Sequence, residues 1–81
     1  MLHKLKNYIE DKEFRIYLST KSVNVINYCS IFAIEKTRVS LSYNVGTLII
    51  KGNNLTLKKM LENELLVYGE IKSIELEWVY E

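Results

Sequence analysis

The chain of 81 residues contains no proline, three glycines, one cysteine and one histidine. Each scarcity excludes something. Without proline no backbone amide is removed from a hydrogen-bonded ladder, which suits strand-rich structure. A single cysteine, Cys29, rules out a disulfide within the chain and fits a reducing compartment. Cys29 and His3 together are too few for a four-ligand zinc site in one chain. No apolar run approaches the roughly 18 residues that span a bilayer, and the start lacks the apolar region of a secretory signal. A soluble cytoplasmic protein is therefore expected. Glycine-rich phosphate loops are also missing, because Gly46 and Gly52 bracket a strand pattern and precede no helix.

What is present is ordinary globular composition, with 48% hydrophobic and 26% charged residues. At this length one domain is expected, burying roughly 60–65% of its unfolded surface and correspondingly marginal in stability. The net charge of +1 hides an asymmetry: residues 1–60 hold ten Lys/Arg against four Asp/Glu, whereas residues 61–81 hold Lys72 against six glutamates. Charge of opposite sign in two parts of a chain orients neighbours or simply lies side by side in the fold.

The apolar spacing sets the fold class. Leu2, Leu5 and Ile9 share one side of a short N-terminal helix covering a sheet end, the alternative being a flexible lead-in, over residues 1–12. From residue 13 to residue 81 the period is two. Phe14, Ile16 and Leu18 alternate with Arg15 and Tyr17. Val23 and Val25 follow, then Ile26 and Tyr28 on the other parity, which suggests a bulge near Val25–Asn27 or a strand covered on both faces. Ile31–Glu35 forms a further segment. Val39, Leu41 and Tyr43 alternate with Arg38, Ser40 and Ser42 in the clearest half-buried strand.

Residues 46–57 read as a hairpin, with Leu48 and Ile50 before a Gly52-Asn53-Asn54 turn and Leu55 and Leu57 after it. Lys58–Asn63 reads as a polar connection with room for one helical turn. Glu64–Tyr68 resumes a strand, Gly69 marks a bulge or a close backbone approach, and Ile74, Leu76, Trp78 and Tyr80 end the chain opposite Ser73, Glu75 and Glu77. The expected fold is all-β: a small antiparallel meander, sandwich or partly open barrel of about seven or eight short strands. A small β-solenoid is the alternative. The expected structural turn residues are Gly46, Gly52, Asn53, Asn54 and Gly69.

Chemistry is thin. Cys29 reads as a small core residue, and Glu75 and Glu77 as the solvated face of a strand that discourages edge pairing. The six tyrosines do not cluster around a basic stripe, which disfavours nucleic-acid binding, and no cofactor is expected. A non-enzymatic binding role follows, with Trp78 and Tyr80 as interface anchors, a protein partner and a homo-oligomer expected. A small ligand- or nucleic-acid-binding β-domain is the alternative.

Four segments carry a family resemblance. They are Asn27-Tyr28-Cys29-Ser30-Ile31, Val39-Ser40-Leu41-Ser42, the run from Asn44 to Leu55, and Gly69-Glu70-Ile71-Lys72-Ser73-Ile74-Glu75. In this order and spacing they resemble the YabP/YqfC family of sporulation proteins, and the last segment is closer to the YqfC branch. The resemblance covers residues 14–77. It implies a β-rich protein of endospore-forming Firmicutes, made in the mother cell and often encoded beside a membrane protein of the same pathway. No catalytic residue comes with it. Together with the binding role read above, the expectation is a sporulation adaptor or assembly module, cytoplasmic in the mother cell and held at a membrane periphery by a membrane-bound partner.

Overall fold

The structure, a computed structural model, describes residues 13–78. The expected N-terminal helix and Tyr80 lie outside the described residues. Six strands follow one another: β1 (Arg15–Leu18), β2 (Ser22–Ile26), β3 (Ser30–Ile34), β4 (Arg38–Tyr43), β5 (Gly46–Met60) and β6 (Glu64–Trp78). They form one open antiparallel sheet in the order β1-β2-β6-β5-β4-β3. The all-β antiparallel expectation therefore holds. Six strands replace the seven or eight expected, and neighbours related by antiparallel pairing exclude the solenoid.

The difference in count comes from two merged pairs of segments, because neither Gly52–Asn54 nor Gly69 divides a strand. Residues 46–57 are not a hairpin: β5 runs unbroken through Gly52, Asn53 and Asn54, paired along its length to β6, and each of the two strands is 15 residues long. Leu48 and Ile50 are buried at even positions and Leu55 at an odd one, so the inward parity does change. Register shifts between Lys51 and Gly52 and between Asn53 and Thr56 change it without reversing the chain. Asn54, with φ at 52°, supplies the left-handed residue, and Gly69 faces it across the ladder at φ 147°. The real reversal is at Leu61–Asn63, where the Leu61 amide donates to the Glu64 carbonyl at 2.7 Å. Lys58–Met60, expected in a connection, belong to β5.

The parity change after Val25 also has a plain origin. β2 stops at Ile26, and Asn27 turns the chain at φ 67°. There the Asn27 amide donates to the Asn63 carbonyl at 2.6 Å, and its side-chain Nδ2 donates to the Glu13 carbonyl at 2.7 Å.

One core holds the sheet together. Val23 and Val25 of β2, Val39, Leu41 and Tyr43 of β4, Leu48, Ile50 and Leu55 of β5, and Leu65 and Val67 of β6 form a single buried cluster. β2 and β4 are separated in the sheet by β6 and β5, yet their side chains share this one buried cluster. Burying each Leu, Ile or Val contributes roughly 1.5–3 kcal/mol. Phe14, ahead of β1, stacks on Tyr43 and closes one end of this core.

Candidate interaction edges

The long hairpin outgrows its neighbours. On the outer side of β6, β2 pairs only Glu64–Tyr68. The last bond on that side runs from the Gly69 amide to the Lys21 carbonyl at 3.0 Å, after which the β1–β2 connection leaves. On the outer side of β5, β4 pairs only Gly46–Lys51. Beyond it the Thr37 and Lys36 carbonyls accept from the Gly52 and Leu55 amides at 3.1 and 2.8 Å. Among the described residues nothing pairs with the outer edge of β6 from residue 70 to 78, or with that of β5 from 56 to 60. An open edge of this kind is a template for another strand.

The two edges differ in charge. The β6 edge carries Glu70, Glu75 and Glu77 with Lys72, and the β5 edge carries Lys58 and Lys59. Lys51 Nζ lies 3.3 Å from Glu75, and Lys59 Nζ lies 3.7 Å from Glu64. Lys58 Nζ sits 5.7 Å from the centre of the Tyr68 ring, a cation–π distance. Both edges end in exposed apolar side chains, Leu76 (43%) and Trp78 (57%) on β6 and Met60 (54%) and Leu61 (50%) at the end of β5. Trp78 touches the core edge-on through Tyr43, with ring centroids 6.0 Å apart and planes at 83°.

The positions singled out in the sequence fall as follows. Gly46 opens β5, and a Cβ there would run into the Glu77 carbonyl oxygen; one at Gly52 would run into that of Glu70. Asn53 lies within β5 and its Nδ2 donates to Glu70 Oε1 at 3.2 Å. Cys29 is exposed, not in the core, because it sits in the connection after β2, where its amide donates to the Ser42 carbonyl at 2.8 Å. Among the described residues the tyrosines do not gather in one place: Tyr43 is in the core, Tyr28 Oη donates to the Leu61 carbonyl at 2.7 Å, Tyr68 lies under Lys58, and Tyr17 is exposed on β1.

Two shallow clefts border the hairpin. One, of about 540 Å³, lies between Leu18–Thr20 and Ile71–Ile74; the other, of about 430 Å³, has Arg38, Lys51 and Lys72 around Gly52 and Asn53. Neither is lined by Glu75 or Glu77. Among the described residues no group of His, Cys, Asp and Glu is placed to hold a metal ion. The exposed Arg15 guanidinium is held above its usual pKa, first by its hydrogen bond to Tyr17 and then by Glu13 at 2.8 Å. Among the described residues no helix is long and apolar enough to cross a membrane.

Trp78, expected from the sequence as an interface anchor, ends β6, whereas the exposed Met60 and Leu61 are not singled out there. The one available signal was the length of the alternating run, which the Gly52–Asn54 segment disguised as a turn.

Fold and surface together define a small all-β module with long, unequally covered strand edges. The chain belongs to the YabP family, whose family model matches residues 11–78 and so spans all six strands. No curated protein and no solved structure matches it.

Proposed function

We propose that the chain is a non-enzymatic sporulation protein that works in the mother cell as an adaptor or assembly module, and that within its family it stands in the YqfC branch. Membership of the YabP family suggests a sporulation-related role. The observation that carries the adaptor role is the mismatch of strand lengths: two 15-residue strands are each flanked by neighbours of five or six residues, which leaves backbone edges for other strands. Its partner in this reading is a membrane-bound sporulation protein, which holds the module at the membrane periphery.

Deleting the gene in its own host and counting heat-resistant spores tests the proposal. A loss of spores that a copy expressed only in the mother cell restores supports it. Spore counts equal to those of the parent strain, or rescue only from the forespore, overturn it.

A further inference from the structure

We infer that the vacant acidic edge of β6 takes, as an antiparallel neighbour, the vacant basic edge of β5 from a second copy of this chain, so that copies join head to tail. The inference rests on the assembly-module reading and adds self-association to the membrane-bound partner proposed there.

Backbone supply comes first. β6 from residue 70 to 78 and β5 from residue 56 to 60 each present donors and acceptors that no strand takes up among the described residues. In a sheet such groups are satisfied by water or by another strand, and pairing them with each other satisfies both at once.

Charge decides which edges meet. Two β6 edges related by a two-fold axis would bring the Glu75 and Glu77 rows of both copies together, and two β5 edges would do the same with Lys58 and Lys59. Like charges in cross-strand positions are destabilising, by roughly 0.2–1 kcal/mol a pair. The β6-to-β5 arrangement sets glutamates beside lysines. Lys51 already neutralises part of Glu75, whereas Glu77 makes no ion pair among the described residues.

Apolar surface then adds area on the same two edges. Leu76 and Trp78 stand exposed along one, Met60 and Leu61 at the end of the other. Because the two surfaces are different, the contact is heterologous and leaves one edge of each kind free at the ends of a pair. Such a contact builds rings or open chains, not a closed dimer.

Sedimentation velocity on the full chain tests this, with the wild type, Glu75→Lys/Glu77→Lys, Lys58→Glu/Lys59→Glu and their equimolar mixture. The wild type should form species larger than a dimer as concentration rises, and lose them near 1 M salt, where the Debye length is roughly 3 Å. Each double variant alone should associate at least tenfold more weakly, and the mixture should assemble again, since each reversed edge then meets a complementary one. Hydrogen exchange on the assembled wild type should slow amides within 56–60 and 70–78 and leave β1 and β3 unchanged.

A wild type that stays monomeric in low salt overturns the inference, as do variants that assemble as the wild type does. A dimer that grows no further, or exchange protection confined to β1 or β3, overturns it too. If a variant fails to fold, exchange on the wild type still decides. A purified chain that does not self-associate, together with a sporulation defect on deletion, removes this inference and leaves the proposed function standing.

Discussion

The Phe14 ring lies on the Tyr43 ring at a centroid distance of 4.2 Å with planes 11° apart, which ties the residue ahead of the edge strand β1 to the inner face of β4. Offset aromatic pairs contribute about 0.5–1.5 kcal/mol beyond burial. Phe14 is only half-buried, so the full cost of a core Phe truncation does not apply. Phe14→Ala should destabilise the fold by about 2 kcal/mol, whereas Trp78→Ala, at the exposed end of the same aromatic row, should cost less than about 1 kcal/mol. Urea unfolding followed by tyrosine fluorescence and circular dichroism measures both. Equal losses at the two positions would mean that Trp78 anchors the core and does not cap it.

Gly46 and Gly52 are governed by close approach. A Cβ at either would meet a carbonyl oxygen of β6, of Glu77 or Glu70 respectively, and backbone does not step aside as a side-chain tip would. Gly46→Ala and Gly52→Ala should each cost more than about 3 kcal/mol, enough to unfold much of a marginal domain at 37 °C. Asn54 is the contrast. It already occupies a left-handed conformation, at φ 52°, so Asn54→Gly should be neutral within about 0.5 kcal/mol and Asn54→Val should cost about 1–2 kcal/mol. Thermal unfolding of the four variants ranks them, and a well-folded Gly52→Ala protein would show that β5 and β6 separate at that level.

These glycines and asparagines explain what the sequence conceals. Alternation in Val39–Tyr43 and Ile74–Trp78 is legible because each stretch keeps one register with its neighbouring strand. Gly52-Asn53-Asn54 carries residues that serve equally as a reversal or as a bulge, and both move the inward parity from even to odd. Only pairing with β6, some twenty residues away in the chain, decides between them. The candidate site shares that difficulty. Charged and apolar residues at 58–61 and 70–78 are plain in the sequence, but whether their backbone is vacant depends on where β2 and β4 stop. Cys29 misleads for a local reason. Small apolar-like residues between Tyr28 and Ile31 suggest a core strand, while Asn27 has already turned the chain outward.

Exposure makes the thiol an easy check of that turn. Cys29 should react with a water-soluble disulfide reagent in the native protein at a rate within about tenfold of its rate in urea, since the nucleophile is already accessible. Cys29→Ser should change stability by less than about 0.5 kcal/mol. Thiol labelling that required unfolding would place the residue back inside the core.

The Lys51–Glu75 pair joins β5 to β6 on the outward face, at 3.3 Å, with side chains 49% and 46% exposed. Water screens such a pair, and holding two long side chains together costs rotamer entropy, so exposed ion pairs contribute about 0–1 kcal/mol. The double-mutant cycle of Lys51→Ala and Glu75→Ala should therefore return a coupling below about 0.5 kcal/mol, measured from urea unfolding midpoints at 0.1 M salt. A coupling of this size means that reversing the charge at Glu75 leaves the hairpin folded, so any change in association belongs to the edge. A coupling above about 2 kcal/mol would instead make the pair part of what holds β6 to β5, and association by Glu75 variants would then have to be read against their loss of stability.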